Sequence, residues 1–274
     1  SLAQKLSARW KQPVIVVNRP GAGTTIGLNA TATAPPDGYT IGMNSISHIV
    51  QPAVRAKLPY DSVTDFTFIS KVLEAPFVLT VNASLPINSI TDLVAYAKAN
   101  PGRLNFGSGG NGSAANLTTE YFKMQSNITL LHIPYRGTAP AVNDLMGGQI
   151  QVLFTGAPAV MGHVKNGTLR ALAVSSPKRL AALPDLPTVA ESGYKNFEAD
   201  QWYGVVAPAG TPKDIVAKLN AQINQALSSA ELKTRLNNEG AIATPTTPEA
   251  FGQHIVREIA RWKPVIGSGR VKAD

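Results

Sequence analysis

Residues 104–117 read Leu-Asn-Phe-Gly-Ser-Gly-Gly-Asn-Gly-Ser-Ala-Ala-Asn-Leu. The first three have the pattern of a buried strand's end. Gly107, Gly109, Gly110 and Gly112 follow, with Ser108 and Ser113 among them. Downstream, Leu117, Tyr121 and Met124 recur at spacings of four and three, the apolar stripe of a helix. The stretch therefore predicts a strand, a tight glycine loop and a helix with Ser113 as N-cap. Such a junction aims unpaired backbone N–H groups and the positive end of the helix dipole at one spot, which suits an anion. Glycine lets the backbone come close to that anion because no Cβ intervenes. The same pattern also serves as a plain strand-to-helix turn, and on this stretch alone both readings stand.

Outward from the loop, strands and helices alternate. The β-branched run Val14-Ile15-Val16-Val17 predicts a strand buried on both faces. Further strands are expected at residues 39–43, 66–73, 77–81, 104–106, 130–133, 150–154, 169–174 and 202–207. Helices are expected at 1–10, 90–99, 117–124, 139–146, 158–165, 212–227, 230–238 and 248–262. This alternation points to an α/β fold of open, mostly parallel sheets flanked by helices, which bind ligands at the carboxyl ends of their strands. Three glycine- or serine-rich loops follow predicted strands, at 19–25, 44–48 and 107–113.

Composition narrows the function. The chain has 274 residues, 44% of them hydrophobic and 15% charged, enough for two lobes with buried cores. Lys plus Arg number 25 against 17 Asp plus Glu, a net charge of +8. That charge is scattered, whereas a nucleic-acid face concentrates its Lys and Arg, so no nucleic-acid partner is expected. Cysteine is absent, which excludes thiol catalysis and disulfides. His48, His132, His163 and His254 show no metal-ligand spacing, so each reads as a satisfied histidine and no metal or cofactor is expected. There is no Gly-x-Ser-x-Gly elbow and no Gly-Lys-Ser/Thr after a glycine run. Gly107-Ser-Gly-Gly-Asn-Gly matches a loose Gly-x-Gly-x-x-Gly, but the next strand ends in Pro134-Tyr135-Arg136 without the acidic residue of a dinucleotide site. What remains is an inventory for holding a small anion: the backbone of residues 107–113, and hydroxyls at Ser45, Ser47, Ser108, Ser113 and Thr155. Arg136 either forks onto a carboxylate or stands exposed in a polar turn. Trp202 either walls a pocket or fills a core. A binder fits better than an enzyme; an α/β enzyme using the glycine loop for a phosphate or nucleotide is the alternative.

Several stretches together resemble one family. They are Val17-Asn18-Arg19-Pro20-Gly21-Ala22-Gly23, Pro36-Asp37-Gly38-Tyr39-Thr40, Leu58-Pro59-Tyr60-Asp61, the glycine loop, and Pro134-Tyr135-Arg136-Gly137. Gly167-Thr168-Leu169-Arg170-Ala171-Leu172-Ala173-Val174, Leu186-Pro187-Thr188-Val189-Ala190-Glu191-Ser192-Gly193 and Trp202-Tyr203-Gly204 continue the match in consistent order. The chain is similar to the Bug family of periplasmic solute-binding proteins, which serve tripartite tricarboxylate transporters. The resemblance implies a two-lobed Venus-flytrap of the periplasmic binding protein type II kind, with residues 1–80 and 205–274 in one lobe and 81–204 in the other. It implies a monomeric periplasmic receptor that binds a small carboxylate and hands it to membrane transporter subunits.

Carried over residue by residue, the second-lobe carboxylate loop falls on Gly107, Ser108, Gly109, Gly110, Gly112 and Ser113, and the first lobe's lining on Ser45, Ser47 and His48. Three departures matter. Family members begin with a strand and a Pro-Gly-Gly-type loop that this sequence does not show, nor does it show a signal peptide. Thr155 stands where the family commonly has an aspartate for a ligand's amino group, which favours a carboxylic acid without one. Asn116 replaces a frequent histidine.

Overall fold

A computed structural model describes residues 2–19, 21–55, 57–269 and 271. Ser1 and Pro20, included in the expectations above, lie outside the described residues. The elements run α1 (Leu2–Trp10), a 3-10 turn (Ala22–Thr24), α2 (Thr25–Ala32), β1 (Gly42–Ser45), α3 (Ser47–Val54), β2 (Phe66–Ala75) and β3 (Phe77–Asn82). They continue with α4 (Ile90–Ala99), β4 (Asn105–Ser108), α5 (Ala114–Ser126), β5 (Leu131–Pro134), α6 (Thr138–Met146), β6 (Val152–Gly156), α7 (Ala157–Lys165) and β7 (Leu169–Val174). The chain closes with β8 (Gln201–Pro208), α8 (Lys213–Leu227), α9 (Ala230–Asn238), β9 (Ile242–Ala243) and α10 (Pro248–Gly267).

The chain divides into two compact units. Unit 1 comprises Ser1–Glu74, Trp202–Asn238 and Ile242–Pro264; unit 2 comprises Ala75–Gln201, Glu239–Ala241 and Val265–Asp274. Residues 75–80 therefore fall in unit 2, because β3 pairs with β6 and β7.

Unit 1 carries a sheet of order β1-β8-β2-β9, with β1 antiparallel to β8 and β2 antiparallel to β9. Its core joins Ile69, Val72, Val205 and Ala207 of the sheet to Val216, Leu219 and Ile223 of α8, and Leu6 of α1 packs into the same cluster. Unit 2 carries a sheet of order β5-β4-β6-β3-β7. β4 runs parallel to β5 and β6, while β3 is antiparallel to β6 and β7. All six residues of β3 are buried between those two neighbours.

Two expectations are corrected. The sheets are mixed rather than mostly parallel. Parallel pairing needs a crossover connection, such as the one from β4 to β5 through α5, but a helical connection does not impose it: β3 leads through α4 to β4 and runs antiparallel to it, with β6 between them. The run Val14–Val17 forms no strand among the described residues, and Ile15, Val16 and Val17 are exposed at 78%, 68% and 68%. Val14 gives its N–H to the Ser7 hydroxyl at 2.8 Å instead of to a ladder. β-branched side chains favour extended backbone, but a strand also needs a neighbour. Among the described helices, none is long and apolar enough to cross a membrane.

Candidate functional site

The glycine loop of unit 2 is built as its sequence predicts. β4 ends at Ser108 and α5 begins at Ala114, with the Ser113 hydroxyl accepting the Asn116 N–H at 3.3 Å. Ser113 also donates its N–H to the Gly110 carbonyl at 3.1 Å, which closes the turn. Gly110 has φ +120° and Gly112 φ +66°, conformations an L side chain rarely adopts. A Cβ on Gly110 would also stand 3.3 Å from the Tyr135 carbonyl oxygen. At Gly107 the requirement is packing: a Cβ there would meet Ile150 Cδ1 at 2.4 Å.

Helix geometry leaves the N–H groups of Ala114 and Ala115 without intrahelical acceptors, and Ser113 uses its own oxygen on Asn116. The loop is thus stiffened from within while its N-terminal donors remain for an anion. The turn that carries Arg136 lies against it, since a Cβ on Gly109 would sit 3.6 Å from Gly137. Arg136 itself is exposed. Thr155, 3% exposed, stands near the end of β6, which runs parallel beside β4, so it occupies the same end of the sheet as Ser108. Tyr135 donates its hydroxyl to Asp144 at 2.7 Å; desolvation and that bond push its pKa up to about 12.

Unit 1 places Ser45 and Ser47, 7% and 4% exposed, at the end of β1 and the start of α3. The other two residues expected to line a site, His48 and Trp202, are buried within unit 1. His48 is fully buried; its Nε2 lies 2.6 Å from the Ser62 carbonyl, and its ring packs edge-on to Phe66 with centroids 4.9 Å apart. Ser62 returns its hydroxyl to the His48 carbonyl at 3.0 Å, so the pair ties α3 to the following loop. Burial holds the His48 pKa below its ordinary value despite the bond to Ser62. Trp202, 2% exposed, packs on Phe251 and His254 and donates its indole N–H to Glu258 at 3.1 Å. Trp262 donates to the same carboxylate oxygen, so Trp202 joins β8 to α10 within the core.

Three polar residues near these loops were not among the expected binding residues. His132 of β5 contacts Ser108, Asn116 accepts the Gly112 N–H through Oδ1 at 3.1 Å, and Asn44 in unit 1 is 2% exposed with neither amide atom hydrogen-bonded. The register Phe106↔His132 is what brings His132 to the loop, and register is not legible from spacing alone. Among the described residues, no group of three His, Asp or Glu could hold a metal ion.

A family model described as tripartite tricarboxylate transporter family receptor matches residues 1–270. The chain belongs to that family. It is 39% identical to protein BugT of Bordetella pertussis over 267 residues, covering 97% of this chain and 82% of BugT. The structure of R. palustris Rpa4515 with adipate superposes with a TM-score of 0.95 at 33% identity, covering 99% of this chain and 91% of that one. MatC from Rhodopseudomonas palustris with bound malate matches with a TM-score of 0.91 at 29% identity, covering 97% and 92%. The fold is that of periplasmic binding proteins of this type, and these relatives are solute-binding proteins rather than enzymes.

Proposed function

We propose that the chain is a periplasmic receptor for a small carboxylic acid, which it delivers as a monomer to the membrane subunits of a tripartite tricarboxylate-type transporter. The observation that carries the reading is the glycine loop at residues 107–113. Its backbone is pinned by Ser108, Ser113 and Asn116, and it opens onto the unpaired first-turn donors of a 13-residue helix. A carboxylate there gains charge-assisted hydrogen bonds that an already ordered loop makes at little entropic cost. Exposed Arg136, beside the loop, adds a forked cation for the same or a second carboxylate. Adipate and malate in the two solved relatives are dicarboxylates, and the proposal extends that ligand class to this chain.

Thr155 narrows the class. A threonine offers no negative charge to an ammonium group, so a carboxylic acid without an amino group is the expected ligand. Ser45 and Ser47 are the expected contributors from unit 1.

Isothermal titration against adipate, malate, glutamate, benzoate, inorganic phosphate and a nucleotide tests the reading. Adipate or malate is expected to bind, with glutamate weaker and phosphate and nucleotide silent. Binding of phosphate or nucleotide with no response to any carboxylic acid would overturn it.

A further inference from the structure

Ser108 is the hub of the glycine loop. Its Oγ accepts the Gly110 N–H at 3.1 Å and lies 3.0 Å from the Gly110 carbonyl oxygen, so both backbone groups of Gly110 meet one side chain. Behind Ser108 stands His132, with Nε2 2.6 Å from Oγ. The other ring nitrogen, Nδ1, faces Asn116 Nδ2 at 3.5 Å. The imidazole stacks on Phe106, centroids 4.6 Å apart and planes 18° apart, and the Lys123 ammonium sits over that same Phe106 ring at 5.1 Å. Lys123 is paired with Glu120 at 2.6 Å, both largely buried on α5.

These contacts fit one arrangement of the protons. Asn116 spends Oδ1 on the Gly112 N–H, which turns its NH2 group toward His132. Nδ1 facing that donor is therefore a lone pair, and the proton of a neutral imidazole sits on Nε2. Nε2–H donates to Ser108 Oγ, and the hydroxyl proton is then directed to the Gly110 carbonyl. Oγ still has a lone pair for the Gly110 N–H. The opposite tautomer would set Nδ1–H against the Asn116 NH2 and draw the Ser108 proton away from Gly110. An imidazolium would meet the same clash.

We propose that His132 is a positioning residue for the ligand loop. As the neutral Nε2–H tautomer it acts through Ser108 to hold Gly110 at φ +120°, and Asn116 selects that tautomer while holding Gly112. His132 does not itself touch the ligand in this scheme; it fixes the geometry of the backbone that does. The inference rests on the carboxylate reading for its functional consequence, but the wiring itself can be tested without a ligand.

The experiment pairs imidazole 15N spectroscopy with adipate titration of wild type, His132→Leu, His132→Gln, Ser108→Ala and the double variant His132→Leu/Ser108→Ala. At pH 7.5 the His132 resonances are expected to show a protonated Nε2 and an unprotonated Nδ1. Leucine removes the donor, whereas glutamine returns an amide N–H near the Nε2 position. His132→Leu and Ser108→Ala are each expected to weaken adipate by about tenfold, the value of one lost hydrogen bond to a pinned loop. The double variant is expected to be no weaker than either single, because the two act in series. His132→Gln is expected to recover most of the affinity. An Nδ1–H tautomer or an imidazolium at that pH overturns the proposal, as do additive losses or a glutamine variant as weak as the leucine one. Should wild type bind no carboxylic acid, the carboxylate reading falls, while the tautomer and the Gly110 amide shift in Ser108→Ala still decide the wiring. If His132→Leu does not fold, the wild-type spectra together with Ser108→Ala and His132→Gln decide between the two outcomes.

Discussion

Two loops of this protein follow the same plan and finish differently. In unit 2, β4 runs into the glycine loop and α5; in unit 1, β1 runs into a short polar loop and α3. Each has a buried asparagine beside it. Asn116 is wired on both sides, to Gly112 N–H through Oδ1 and towards His132 through Nδ2. Asn44 is equally buried, yet its donor and its acceptor are both idle. A buried polar group contributes to stability only when it is satisfied, and otherwise it costs the desolvation. The same residue type thus holds one loop in place and weighs on the other.

Gly110→Val should give the largest effect. It forces a β-branched side chain onto φ +120° with its Cβ 3.3 Å from the Tyr135 carbonyl, in the pinned loop. Adipate binding, measured by titration, is expected to fall by more than about a hundredfold while the fold survives. Retained affinity would place the ligand away from this loop.

Next comes Gly204→Ala, opposite Asn44 in the register of β1 and β8. The added Cβ would lie 2.0 Å from Phe251 Cζ and 2.7 Å from Asn44 Oδ1, so the core must shift. A loss of about 3 kcal/mol in denaturant unfolding is expected from overpacking.

The two asparagines give the sharpest contrast. Asn116→Leu removes the Oδ1 acceptor of the Gly112 N–H and should cost about 2 kcal/mol, whereas Asn44→Leu removes two unsatisfied atoms and should be neutral or stabilising by about 1 kcal/mol. Equal losses in both, measured by denaturant unfolding, would erase the difference between the two loops.

The smallest effect is expected from pH. The folded-state pKa values of His48 and His254 both lie below 6.5, chiefly through burial. The unfolded chain then takes up protons first as pH falls. Stability is fully present above 6.5 and declines as pH drops from there through the folded-state values. Thermal unfolding should show a lower Tm at mildly acid pH, and His48→Asn should flatten part of that slope.

Much of the fold was legible because local rules were sufficient. Ile90–Ala99 and Ala230–Asn238 have the bounds that periodicity and capping predict, as does the strand Leu169–Val174. The glycine loop was legible too, since a serine before a helical stripe and glycines at positive φ are local demands. Val14–Val17 shows where such rules stop. It is richer in β-branched residues than β3, Phe77–Asn82, but β3 finds β6 and β7 on its two edges and the earlier run finds no ladder partner among the described residues.

The sequence by itself determined the strand–loop–helix unit at 104–117, the absence of thiol chemistry and the family to which the chain belongs. These follow from local conformational preference and from residue order. Tertiary structure decided that the sheets are mixed, that His48 and Trp202 are core residues, and that His132 backs the glycine loop through Ser108. Those outcomes depend on which strands lie side by side and in what register, and hydrogen-bond partners far apart in the chain are chosen only when they do.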